Sequence, residues 1–249
     1  METHHTHHHD HPQQKEKMWA HYALEFFMLF LAVFCGFLAE NFRESRIENG
    51  REKVYMENLY QDLKEDTANF SNYDKSTSDF IRSIDTLMML MNSPDRNAHL
   101  SKIYFLARMA TLYSPSIFPN ERTFDEMKSS GYLRLIKNRL IADSVSAYYN
   151  SLKRLYYQNE LIGNRTGDYM GEAGKVFDAQ VLFKILKERK EPSADSLKLL
   201  SEDPMAINQL LARAQYFCGA RLLQQRWCEE RDKKAQRLLQ LIQKEYHFE

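Results

Sequence analysis

"EFFMLFLAVFCGFLAEN", Glu25 to Asn41, is the stretch whose reading decides the fold. It can cross a membrane, be removed as a signal peptide, or pack inside a soluble core. From Met18 to Ala39 only His21 and Glu25 are acidic or basic side chains. As a helix rising ~1.5 Å per residue, these positions reach roughly 33 Å, enough for a hydrocarbon layer of about 30 Å. A cleaved signal needs a small-x-small site after its apolar core. Here Phe37 stands where the first small residue of a site ending at Ala39 belongs, and Glu25 abuts the core. A soluble core helix usually keeps a polar stripe, and a run this rich in phenylalanine is unusual for one. The span is the reading taken, with residues 18–40 as one transmembrane helix in a bacterial cell membrane, uncleaved.

On a helical wheel of ~100° per residue, His21, Glu25, Leu29, Ala32, Gly36, Ala39 and Glu40 share one face. Trp19, Phe27, Phe30, Phe34 and Phe37 fall opposite. The bulky side suits lipid. The pair Ala32 and Gly36, four apart, would let a second helix or a second copy come close. Glu25 within a span is a functional candidate, although near its end the carboxylate can snorkel to the interface.

The run through "ENFRE", followed by "REKVYMENLYQDLKEDT", resembles an uncharacterised family of bacterial single-span proteins of unknown function. The matching positions are Glu25, Asn41, Glu44, Leu59, Asp62 and Leu63, with Ala32 where glycine is common and Phe42 where tryptophan is common. A second matching segment is "TFDEMKSSGYLRLIKN", Thr123 to Asn138. The resemblance covers roughly residues 20–150. It implies a membrane-anchored helical protein and carries over no catalytic residue.

The rest of the chain reads as helices. Glycine and proline number 8 and 6 in 249 residues, too few breakers for a loop-rich fold. Met56, Leu59, Leu63, Asp66, Phe70, Tyr73, Thr77, Phe80, Ile84, Leu87 and Met91 advance in steps of three and four. They form a coiled-coil-like seam with Asp66 and Thr77 as polar interruptions, expected to pack on helices of the same chain and to end at Asn92–Pro94. Asn97 to Tyr113 reads as a second helix. Thr123 and Glu126 read as a capping box opening a short helix that stops at Gly131. An apolar return through Leu133, Leu135 and Ile136 follows. Arg139 to Leu161 is expected to be helical, with Tyr148, Tyr149, Tyr156 and Tyr157 as core and rim. "GNRTGDYMGEAGK", Gly163 to Lys175, reads as a flexible connection. Val176 to Lys190 and a short stretch near Leu197–Leu200 complete the set before a last helix, opened by Pro204 and running to about Tyr246. Its polar middle, "QQRWCEERDKKAQR", is expected to face solvent.

Residues 1–17 read as a disordered tail holding six of the nine histidines. Metal binding there is one reading and a solvated tail the other. Lys175 lacks the Walker spacing, since Tyr169 stands where a glycine is needed and Val176 follows the lysine. Cys218 and Cys228 are about 80° apart on one helix, poorly placed as a pair. Asp62, Glu65 and Asp66 read as a solvated face, and Arg134 as a weak binding candidate. The neutral formal charge gives no case for nucleic acid. No catalytic, cofactor-binding or metal-ligating residue is assigned.

The expected architecture is all-α: tail 1–17, transmembrane helix 18–40 in the lipid bilayer, helical bundle 41–249. The expected role is a non-enzymatic interaction or scaffold subunit. The alternative is a sensory module whose bundle binds a ligand. Lys15 and Lys17 precede the span, and Arg43, Arg46, Arg51 and Lys53 follow it. This leaves the facing of the bundle open.

Overall fold

The computed structural model describes residues 12–113, 115–195 and 197–248. Among them are six α-helices and two short 3-10 helices, with no strand. The fold is all-α. The histidine-rich run ahead of Pro12 lies outside the described residues. The tail boundary expected at residue 17 falls inside the first helix, α1 (Pro12–Met91). The chain divides into two units, residues 1–53 and 54–249, and α1 contributes to both.

In the first unit, the described side chains of residues 21–46 are all solvent-exposed. The apolar window has mean hydropathy 2.1 and none of it is buried, so α1 is long and apolar enough there to cross a membrane. Phe30 and Phe34 stack with ring centroids 5.8 Å apart. His21 Nε2 lies 3.3 Å from Glu25 Oε1, so the carboxylate within the apolar stretch has a neighbour one turn away.

The second unit begins at Val54. All eleven seam positions from Met56 to Met91 are buried, Asp66 and Thr77 included. Asn92 and Ser93 close this part of α1 by bonding back to the Met88 and Leu90 carbonyls, and Pro94 follows. Next come α2 (Leu100–Leu112), α3 (Arg122–Ser129), α4 (Arg139–Val176), α5 (Ala179–Glu188) and α6 (Pro204–Tyr246). Two apolar clusters fill the unit. One joins Met56–Tyr73 of α1 to Ile141–Leu155 of α4 and Cys228–Ile242 of α6. The other joins Phe80–Met91 to Ile162–Val176, Ile207–Cys218 and α2. The order within the clusters sets the directions: α4 runs parallel to this part of α1 and α6 antiparallel to both. The seam packs within the chain, as its several amphipathic partners require.

Four local readings are corrected. Thr123 and Glu126 make no capping box. Thr123 is buried inside α3, whose N-cap position is Glu121, and its amide donates to Asp62 Oδ2 of α1 at 3.1 Å. The expected flexible connection, Gly163 to Lys175, is helical throughout, because Ile162, Tyr169, Ala173 and Val176 continue the buried face of α4 across it. Residues 197–200 form no helix. Tyr104 Oη donates to the Lys198 carbonyl, and the Leu200 amide to the Val176 carbonyl, which commits that backbone elsewhere. The polar middle of α6, expected to face solvent, buries Gln224, Cys228 and Arg231, and Arg221 one turn before it is buried as well.

Other boundaries agree with the sequence. Gly131 lies just past α3 at φ 72°, a left-handed geometry that glycine adopts without strain. Pro204 opens α6, with Asp203 Oδ1 and Oδ2 accepting from the Met205 and Ala206 amides.

Candidate functional site

Between the two apolar clusters the three long helices bury polar side chains, and these converge on one non-helical segment. Residues 115–121 form a non-helical strap linking α2 to α3, whose last carbonyl, at Glu121, accepts the first helical bond of α3 from the Asp125 amide at 2.8 Å. Buried backbone groups need partners, and each long helix supplies some. Arg221 of α6 donates from Nη1 to the Pro115 carbonyl at 2.5 Å. Asn159 of α4 donates to the Ile117 carbonyl at 3.0 Å. The Asn120 amide donates to Asp66 Oδ1 of α1 at 2.7 Å, and the Asn120 side chain to Glu65 Oε2 at 3.0 Å. Tyr156 Oη donates to Glu121 Oε1 at 2.7 Å.

The supports are themselves linked. Gln224 accepts from Tyr73 Oη at 2.5 Å and donates to Asn159 Oδ1 at 2.6 Å. Gln158 donates to the Ala220 carbonyl at 2.7 Å. The Arg221 guanidinium lies 5.0 Å from both the Phe80 and Phe217 ring centroids, a two-sided cation–π seat. Burial lowers the pKa of Arg221, with the Tyr73 hydroxyl opposing that shift.

At the far end of the strap stands an acidic and aromatic cluster. Asp62 is 1% exposed, accepts from Thr123 N, and pairs through Oδ1 with Arg122 Nη2 at 2.7 Å. It therefore supplies from another helix an acceptor for the first turn of α3, where the Glu121 side chain makes no cap and Asn120 Oδ1 accepts only from the Arg122 amide. Asp66 accepts from Tyr148 Oη at 2.6 Å as well as from Asn120. Burial pushes the Asp66 carboxyl up to about 6, against the pull of those two hydrogen bonds. Burial also raises the Tyr148 and Tyr149 hydroxyls, and the Asp66 charge adds to it. Tyr149 stacks on Phe124 with centroids 4.2 Å apart. The solvated face expected of Asp62, Glu65 and Asp66 thus holds for Glu65 alone.

The two segments that carried the family resemblance meet here. Leu59 and Leu63 pack in the same cluster as Met127, and Asp62 bonds the backbone at Thr123. Replacing Asp62 with alanine is expected to cost about 1–2 kcal/mol, the size of a lost helix cap. Hydrogen exchange on the full chain checks it. Amides of Thr123 to Met127 should lose protection ahead of those in α4, and unchanged protection there would refute the cap.

Arg134, in the 3-10 helix Tyr132–Leu135, is exposed. Lys175 pairs with Glu172 at 2.9 Å in the last turn of α4. Tyr148 and Tyr149 are core, while Tyr156 and Tyr157 are rim at 37% and 68% exposure. Cys218 and Cys228 are free and buried, and burial pushes both thiols up to about 12, which makes them poor nucleophiles at neutral pH. Ala32 and Gly36 are exposed on α1, and a Cβ added at Gly36 would meet nothing within 4 Å. Among the described residues no three His, Cys, Asp or Glu side chains gather to hold a metal ion. Sequence reading missed Gln158, Asn159, Arg221 and Gln224.

In comparisons with known proteins, no family model, no curated protein and no solved structure matches the chain.

Proposed function

We propose that this is a single-pass protein of the bacterial cell membrane, anchored by residues 18–40, whose helical bundle serves as a non-enzymatic interaction or scaffold subunit. One observation carries the anchoring. None of the apolar window of α1 is buried, whereas a soluble core helix would be mostly buried. In water such a surface would drive aggregation; in a bilayer it faces lipid. The resemblance to the single-span bacterial family points the same way. The meeting of its two motif segments at Asp62 and Thr123 supports membership in it.

The non-enzymatic reading rests on how the polar groups are used. Asp62, Asp66, Asn159, Arg221 and Gln224 hold the strap and the start of α3. Asp66 is wholly shielded from solvent, so its carboxyl has no substrate-facing side. Protease protection on cells stripped of their outer wall tests the anchored reading and shows which way the bundle faces. The full-length chain should stay with the membrane after alkaline carbonate washing. Release of the bundle into the soluble fraction, or a shortened N-terminus, would sink it.

The helix partner is proposed to sit on the Ala32 and Gly36 face, which is open in the isolated chain. Oxidative cross-linking through Cys35, exposed on the same helix, is expected to give a dimer in membranes. Gly36→Leu should lower its yield several-fold by blocking close approach. An undiminished yield, or no dimer from the natural sequence, removes this face.

The alternative, a ligand-responsive module, draws support from a groove of about 590 Å³ in the bundle.

A further inference from the structure

We propose that this groove is a binding site for an amphipathic organic anion, of the class of a long-chain carboxylate. It lies between α1 and α2 and is lined by Phe80, Phe105, Met109, Leu112, Tyr113 and Pro115. Its volume of about 590 Å³ sits within the roughly 300–1,000 Å³ usual for small-molecule sites. Exposed Tyr113 and half-buried Phe105 leave the apolar surface open to an incoming chain. These features call for an apolar body.

The sign of the head group follows from what stands behind the rings. Each of the three aromatic rings of the groove carries a cation. Arg221 lies 5.0 Å from the Phe80 centroid, Lys102 5.8 Å from Phe105, and Arg189 5.4 Å from Tyr113. Arg221 is wholly buried and acts only through its field, whereas Arg189 is exposed at the Tyr113 end. The anions nearby are already engaged: Asp79, on the α1 wall, pairs with Arg82, and Glu191 with Lys102 at 2.9 Å. Asp79 is the one charged side chain in the lining itself, and with Lys102 and Arg82 each paired to a carboxylate, the exposed cation that a head group can meet is Arg189. Ser76 on the α1 wall adds a hydroxyl that can donate to a carboxylate, whereas the Ser83 hydroxyl already donates to the Asp79 carbonyl at 3.0 Å. The carboxylate is placed at the Tyr113–Arg189 end, with the chain running along Met109 and Phe105.

The test uses the full chain in lipid nanodiscs. A sixteen-carbon fatty acid carrying a mid-chain diazirine is photolysed, and the labelled peptides are mapped by mass spectrometry. The membrane reading and this one are scored on different peptides. Any bilayer-dissolved probe labels the span, while only groove occupancy labels Phe105–Tyr113. The acid should label Phe105–Tyr113, and the matching neutral alcohol at least five-fold less. Ser76→Trp and Ser83→Trp, which fill the groove from its outer wall, should each cut that label about ten-fold and leave the span label unchanged. The double variant R189Q/K102Q should cut it at least three-fold. Label confined to the span, equal labelling by acid and alcohol, or indifference to both tryptophans would each overturn the proposal.

Discussion

Replacing Gly163, Gly167, Gly171 and Gly174 together with alanine is expected to stabilise the protein by about 2–4 kcal/mol, at roughly 0.5–1 kcal/mol per site. All four lie inside α4, and none has a positive φ. A Cβ built at each meets no atom within 4 Å, so alanine adds no clash. The gain arises in the unfolded chain, which loses less conformational freedom on folding once the glycines are gone. A domain of this size shifts its melting temperature by about 2–4 °C per kcal/mol. The quadruple variant should therefore melt roughly 5–15 °C higher when the helical signal of the full chain is followed in detergent. The experiment also separates two readings of the segment. Were it a hinge with glycines in left-handed turns, alanine would strain it and the melting temperature would fall.

In that segment composition and periodicity point in opposite directions. Four glycines in twelve residues suggest a break. Yet Leu155, Ile162, Tyr169, Ala173 and Val176 keep α4's buried face in phase through the glycines, which fall on the solvent side. Periodicity outweighs propensity here, because burying one face contributes more than a few glycines remove. The same signal was present in α6. Phe217, Arg221, Gln224, Cys228, Arg231, Ala235, Leu238 and Ile242 step by fours and threes, and all are buried. A solvent-facing reading of Gln224, Cys228 and Arg231 treats residue type as burial. The α1 seam was legible because Asp66 and Thr77 were kept in register despite their polarity. What could not be read was the destination of those polar groups. The strap they hold lies 54 residues from Asp66 in sequence at Asn120, and 106 from Arg221 at Pro115. No local pattern encodes a pairing that long. The capping box failed for the same reason: Thr123 and Glu126 have the right spacing, but a buried carboxylate from α1 reaches the amide first.

Asp66 should make the protein less stable as pH rises from about 4 to about 6. Its carboxyl is raised from 3.8 to about 6 in the folded chain because burial penalises the charge more than Tyr148 and Asn120 favour it. Across that window the folded state holds a proton that the unfolded state has released. The slope of unfolding free energy with pH is therefore negative. Stability is fully present below the unfolded pKa and is lost as pH passes through the folded one. At about 1.4 kcal/mol for each pH unit between the folded and unfolded pKa values, the loss approaches about 3 kcal/mol by neutral pH. Urea unfolding of the full chain in a non-ionic detergent, from pH 4 to pH 7, measures it against Asp66→Asn. Other carboxylates titrate in the same range, but both proteins share them and they cancel in the difference. The variant loses one acceptor for Tyr148 or Asn120, so it starts lower at pH 4; its deficit should shrink as pH rises, since it has no charge to bury. Parallel pH profiles would mean that the two hydrogen bonds hold the charged carboxylate as well as water does.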